Sequence, residues 1–164
     1  MSDIEPRSAN PVRIRHFNRS LPMSLLRARE AVMRHFRPAL RANGMTEQQW
    51  RVLRALMTRP GMEVSEIAEA TFLLGPSLSR ILRDLEALGL IVRRLDEADH
   101  RRSIVSLSGE GEKLIEKISP ESETIYAEIT RRFGAQRLTE LQTMLRELEA
   151  LLAEGAPISG KSEP

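Results

Sequence analysis

Apolar positions along this chain fall into blocks of helical period, separated by polar and Gly/Pro breaks. Over residues 22–43 the stripe is Leu25, Leu26, Val32, Met33, Phe36, Ala39 and Leu40, punctuated by Arg27, Arg29, Arg34, Arg37 and Arg41. That pattern predicts a long amphipathic helix. Ser20 or Pro22 marks its start, Pro38 is expected to kink it, and Asn43-Gly44 closes it. Thr46-Glu-Gln-Gln49 reads as a capping box opening a second helix with Trp50, Leu53, Leu56 and Met57 inward. Arg59-Pro60-Gly61 stops that helix, and residues 62–64 read as a short extended piece. Ser65 is expected to cap a third helix with Ile67, Ala68 and Phe72 inward. After the turn Leu74-Gly75-Pro76 comes a fourth, with Leu78, Ile81, Leu82, Leu85 and Leu88 on one stripe and Gly89 at its end.

The period then changes. Residues 90–95 and 103–107 are short β-like runs, and between them lies a polar segment with Asp99, His100, Arg101 and Arg102. Ser108 is expected to cap a further long helix carrying Leu114, Ile115, Ile118, Ile125, Ile129 and Phe133, with a kink or break at Pro120 and an end at Gly134. A last helix, roughly residues 137–153, carries Leu138, Leu141, Met144, Leu145, Leu148, Leu151 and Leu152. The predicted fold is mainly α with a small β-hairpin wing: a winged helix-turn-helix flanked by N- and C-terminal helices. The domain plan is a flexible basic arm over 1–20, a single domain over 21–154, and a flexible tail over 155–164. Within the domain, 46–108 is the winged helix-turn-helix, and 21–43 and 109–154 are dimerisation helices. The terminal helices carry more apolar surface than a small winged domain needs, so a dimerisation layer is expected, with an intramolecular bundle as the alternative.

Charge layout adds to this. The net charge is only +2, yet residues 1–41 hold nine Arg against Asp3, Glu5 and Glu30 (net +6), and residues 109–164 hold seven Lys or Arg against eleven Glu (net −4). A one-sided basic surface suits a nucleic-acid binder. Only Lys113, Lys117 and Lys161 of the 25 basic residues are lysine. Arginine favours bidentate phosphate and guanine contacts, although a GC-rich genome produces the same bias.

Several function classes are poorly supported. The chain has no cysteine, which removes disulfides, thiol nucleophiles and thiolate metal sites. His16, His35 and His100 have no metal spacing. There is no Gly-rich phosphate loop, no Gly-x-Ser-x-Gly elbow and no His-Glu-x-x-His. No enzyme activity, metal or cofactor is expected. No stretch approaches the roughly 20 apolar residues of a membrane span, and the expected localisation is cytoplasmic.

The run from Asp99 through Arg101, Leu107 and Ser108 to Gly111 resembles the wing signature of the MarR family of bacterial winged-helix regulators, Asp-x-Arg, a short strand, then Leu-Thr-x-x-Gly. Ser108 stands for the Thr. Leu53 and Leu88-Gly89-Leu90-Ile91 also match, and the element order agrees over roughly residues 22–153. A narrower likeness is to the branch that regulates homoprotocatechuate degradation (HpaR-type). It is carried by residues 26–31, Phe36-Arg37-Pro38, and Met45-Thr46-Glu47-Gln48-Gln49-Trp50-Arg51 with Arg54. Leu74-Gly75-Pro76-Ser77-Leu78 is similar to that branch's Leu-Arg-Pro-Ser-Leu, with Gly75 in place of an Arg.

The resemblance implies a homodimeric repressor of an aromatic-acid catabolic operon, binding a pseudo-palindromic double-stranded operator and released by a small aromatic acid. Ser77, Ser79, Arg80 and Arg83 are the major-groove candidates. Ser65, near a helix N-terminus, is a candidate phosphate contact. Arg101 would enter the minor groove, where narrow A·T tracts concentrate negative potential. Asp99 would orient the Arg101 guanidinium, and Arg93, Arg94 and Arg102 would reach phosphates. Arg27, Arg29, His35, Trp50 and Arg51 are the effector-site candidates, since an aromatic anion needs an apolar slot with cationic groups. Each arginine has a plainer reading as one half of a surface salt bridge. The rival for the whole chain is a winged-helix protein-interaction or architectural module without sequence-specific DNA binding.

Overall fold

The computed structural model describes residues 17–96, 99 and 101–153. Readings that fall on the N-terminal arm up to His16, on Glu97 and His100, and on the tail from residue 154 lie outside the described residues. A short 3-10 turn, Phe17–Arg19, precedes α1 (Leu21–Ala42), α2 (Glu47–Thr58), β1 (Met62–Glu63), α3 (Val64–Thr71) and α4 (Gly75–Ala87). Strands β2 (Ile91–Leu95) and β3 (Ser103–Leu107) follow, then α5 (Gly109–Phe133) and α6 (Ala135–Ala153).

Local chemistry accounts for most boundaries. At α2 both halves of the capping box are made: Gln49 N–H donates to Thr46 Oγ1 at 3.1 Å, and Thr46 N–H donates to Gln49 Oε1 at 2.9 Å. At α5 the Ser108 hydroxyl accepts from Gly111 N–H at 3.0 Å. Gly89 takes the left-handed conformation that ends α4, at φ 71°.

Helix α3 departs from expectation at both ends. Its N-cap is Glu63, not Ser65, and the Glu66 carboxylate accepts from Glu63 N–H at 2.8 Å. Backbone pairing of Met62 and Glu63 with β3 settles where the helix begins, and Ser65 lies exposed as the second residue of its first turn. At the other end Phe72 is 81% exposed rather than inward, with φ 54°. That left-handed turn swings its side chain off the helical stripe, and Thr71 occupies the buried position instead.

The two helix-interior prolines do not end their helices. α1 runs through Pro38, and α5 runs unbroken through Pro120. A proline removes one i→i−4 bond, while buried Ile115, Ile118 and Ser122 hold both sides of Pro120 against the body of the protein. Met57, expected inward, is exposed, and Val52 takes the core position on α2.

The sheet has three strands in the order β1-β3-β2, all antiparallel. The hairpin pairs Ile91 with Leu107 and Leu95 with Ser103, and Met62 of β1 sits opposite Val105. One core joins α2, α3, α4, the sheet and the first half of α5: Leu53, Ile67, Leu78, Leu82, Leu85, Val105 and Ile115 are almost fully buried. Each such side chain contributes roughly 1.5–3 kcal/mol through burial. This core fixes α4 by its Leu78–Leu82–Leu85 stripe and leaves its opposite face outward. The terminal helices are not covered in the same way: Leu21, Leu25, Leu26 and Val32 of α1, and Leu141, Met144, Leu145, Leu151 and Leu152 of α6, are exposed. Among the described residues no helix is long and apolar enough to cross a membrane.

Candidate nucleic-acid interface and effector pocket

The face of α4 turned away from the core carries Ser77, Ser79, Arg80 and Arg83, all exposed. Arg80 makes no hydrogen bond or ion pair with any described residue, and Arg83 Nε donates only to the Ser79 carbonyl, at 3.4 Å. Arg94 on β2 and Arg101 at the wing tip are likewise exposed, and their guanidinium groups have no partner among the described residues. Unpaired cations on the helix, the strand and the tip are free for phosphate or base contacts, with no intramolecular pair to break.

Other arginines of the region are already engaged. Arg102 pairs with Glu63 at 2.9 Å and faces Asp99 at 3.5 Å, so it braces the hairpin against β1. Arg93 pairs with Glu86 at 3.2 Å. Asp99 does not orient the Arg101 guanidinium: its carboxylate accepts from the Arg101 backbone N–H at 3.1 Å. Asp99 therefore shapes the backbone of the tip, and Arg101 projects from a turn held in place.

A groove of about 360 Å³ between α4 and the start of α2 is lined by Ser77, Arg80, Ile81 and Asp84 on one side and by Thr46, Gln48 and Gln49 on the other. The α2 N-terminus thus adds polar groups beside Ser77 and Arg80 that the sequence reading omitted. The capping box was the available signal, because it marks a helix end whose first N–H groups point outward.

A second concavity, about 310 Å³, lies between α1, α2 and α5. Of the effector candidates, Arg29, Trp50 and Arg51 line it, together with Val32, Met33, Phe36, Glu47, Arg54 and Tyr126. Phe36 and Tyr126 stack in a tilted pair at 4.9 Å, closing one wall. Arg27 does not line this pocket, and His35 lines a different one with Thr124, Ile125, Glu128, Ile129 and Arg132. Arg54 and Tyr126 join the lining without having been candidates from sequence; Arg54 lies one helical turn beyond Trp50, on the same face of α2.

Glu47 organises the charges here. Its side chain is 13% exposed, and Arg29, Arg37 and Arg51 converge on it. Arg37 also reaches Glu30 at 2.7 Å. Arg51 is bridging: Nη2 donates to Glu47 Oε1 at 3.0 Å, and Nη1 donates to the Thr71 carbonyl at 2.9 Å. Arg54 has no partner among the described residues. The lining holds three guanidinium groups against one carboxylate, an excess of positive charge beside three aromatic rings. No group of His, Asp or Glu side chains among the described residues is arranged to hold a metal ion.

An outward-facing second helix of a helix-turn-helix, followed by a three-stranded wing with a cationic tip, defines a winged-helix DNA-reading fold. The MarR family model matches residues 43–102. The homoprotocatechuate degradative operon repressor of Escherichia coli is 38% identical over 132 residues, covering 80% of this chain and 89% of the relative. The chain belongs to the MarR family of transcriptional regulators, which are not enzymes. Among solved structures, NadR in complex with 4-hydroxyphenylacetate is 38% identical, with a TM-score of 0.74 over 84% of this chain and 96% of that one. The transcriptional repressor CouR bound to a 23-mer DNA duplex is 27% identical, with a TM-score of 0.73 over 79% of this chain and 92% of that one.

Proposed function

We propose that this chain is a homodimeric repressor whose grip on a pseudo-palindromic operator is released by a small aromatic carboxylate. The observation that carries the effector reading is the pocket in which Phe36, Trp50 and Tyr126 surround an excess of guanidinium charge from Arg29, Arg51 and Arg54. A guanidinium beside aromatic walls suits a ligand with a carboxylate at one end and a ring at the other. NadR has been solved with such a ligand, 4-hydroxyphenylacetate, and the Escherichia coli relative represses a homoprotocatechuate operon. Arg29, Trp50 and Arg51 are the effector contacts of this reading, with Arg54 and Tyr126 added.

In the DNA complex Ser77, Ser79, Arg80 and Arg83 read the major groove. Arg101 enters the minor groove, and Ser65 and Arg94 reach phosphates. Asp99 and Arg102 serve by holding the wing. The exposed apolar rows of α1 and α6 support pairing of two copies, which would set the recognition helices about one DNA turn apart. The test has two arms. Selection of bound sequences from a random DNA library should return an inverted repeat; recovery of no preferred sequence would favour an architectural module. Calorimetry with a panel of phenolic acids should find at least one carboxylate that binds, with its neutral amide binding far more weakly. If the panel yields no binder, the effector reading is wrong.

A further inference from the structure

We propose that Arg51 is the positioning residue through which an anion in the pocket acts on the helix-turn-helix; this rests on the effector reading above. Helix α3 is eight residues long, and its last carbonyls cannot be satisfied within the helix. Thr71, the final residue, is fully buried, so its carbonyl has no route to water. Arg51 supplies the missing donor from α2 at 2.9 Å, acting as a side-chain cap on the end of α3. The next residue, Phe72, holds the left-handed turn that redirects the chain, and α4 begins at Gly75. One guanidinium therefore spans from the pocket carboxylate of Glu47 to the joint of the DNA-reading unit.

The geometry makes this bond the one an incoming anion disturbs. A guanidinium bonds a carboxylate about twice as strongly as a neutral carbonyl, and its planar fork favours a bidentate pair. With Glu47 already shared among three arginines, a ligand carboxylate placed between Arg51 and unpaired Arg54 draws the Arg51 Nη1 donor from Thr71. The carbonyl then sits buried and unpaired, and the turn at Phe72 loses its restraint on where α4 begins. Arg51 thus favours the DNA-competent arrangement when the pocket is empty and the released one when it is filled, the differential contact that coupling between two sites requires.

The test compares the full-length wild type with Arg51→Lys for affinity toward the selected operator, with and without saturating 4-hydroxyphenylacetate. For the wild type the ligand should weaken operator binding by about 10-fold or more. Lysine keeps the charge but cannot bridge two acceptors in a fixed fork. Operator affinity of ligand-free Arg51→Lys should therefore already match that of the ligand-bound wild type, and the ligand should change it no further. Release of Arg51→Lys by the ligand with the wild-type factor would overturn the proposal. Should the variant no longer bind ligand, hydrogen exchange on the wild type decides. Ligand must speed exchange across residues 72–76, and unchanged protection overturns the proposal. Failure of the effector reading looks different, because calorimetry then shows no binding to the wild type before any DNA is added, and the Arg51 proposal falls with it.

Discussion

Gly111 packs against the Leu90 backbone so closely that a Cβ at Gly111 would lie 2.1 Å from the Leu90 carbonyl oxygen. This is where the first turn of α5 meets the base of the wing, and the same junction holds two more bonds. Ser108 N–H donates to the Leu90 carbonyl at 3.1 Å, and the Ser108 hydroxyl donates to the Gly89 carbonyl at 2.6 Å. Gly111→Ala must push α5 off the strand, since the obstructing atom is backbone. The expected loss is about 1–3 kcal/mol, as for other overpacked sites, read as a lower urea midpoint with an unchanged slope. An alanine variant as stable as the wild type would show that the junction can open without cost.

Arg101→Ala and Arg102→Ala should separate two roles that neighbouring arginines play. Arg101 makes no side-chain bond among the described residues, so its removal should weaken operator binding by roughly 1–3 kcal/mol and leave the melting temperature unchanged. Arg102 ties the hairpin to Glu63, so its removal should loosen the wing. Glu63→Gln should then reproduce much of the Arg102→Ala effect on DNA binding. Fluorescence anisotropy on the selected operator measures both, and equal affinity of Arg101→Ala and wild type would take the wing tip out of DNA recognition.

Salt should discriminate among the unpaired cations. Each phosphate contact contributes about −0.9 to the slope of log affinity against log salt. Arg94→Ala, on the reading that it reaches a phosphate, should make that slope shallower by about one unit while weakening all sequences alike. Arg80→Ala should instead flatten the preference at one base position of each half-site.

Acid stability should respond at Glu128. Hydrogen bonds from Arg131, then Arg132, hold its carboxyl down at about 2 instead of the ordinary 4.5. A carboxyl lowered in the folded state stabilises the fold above its unfolded value, and that contribution disappears as pH falls from about 4.5 to about 2. Glu66, lowered chiefly by the Glu63 N–H bond and also by Arg59, acts in the same direction. Glu128→Gln should therefore differ little from wild type near pH 2 and be the less stable of the two at pH 7. The difference at neutral pH should be small, because the group is exposed and screened. Urea midpoints across this range give the comparison, and a Glu128→Gln deficit that persists near pH 2 would rule this account out.

Much of the fold follows from local patterns. Apolar periodicity placed α2, α4 and the hairpin within a residue or two, because each element turns one face toward a common core and its geometry sets the spacing on that face. The capping box at Thr46 and the cap at Ser108 are complete within a few residues and could be read without tertiary information. The errors occur where a distant partner decides. Glu63 displaced Ser65 as the cap of α3 because strand pairing to β3, some forty residues on, sets where that helix starts. Phe72 turned outward because a left-handed residue ends the helical period, and no local rule assigns that conformation to a phenylalanine. The lining of the pocket between α1, α2 and α5 was half legible. Arg29, Trp50 and Arg51 share a pocket through the packing of α1 on α2, while Tyr126 arrives from α5 and has no signature in sequence spacing. Likewise, which arginines are free and which are paired depends on Glu63 and Glu86, which lie on elements that only folding brings alongside.

Strand β3 lies between β1 and β2, which separates the parts of this molecule that can drift from those that cannot. A substitution at Ile104 or Val105 is felt on both sides at once, by β1 at the start of α3 and by the outer wing strand. The tip beyond the Leu95–Ser103 pair is outside that register. Within the tip, the exposed Arg101 side chain is the position that can change without touching either neighbour, because Asp99 and Arg102 hold the turn itself, whereas the paired residues of the central strand are tied to their places from both sides.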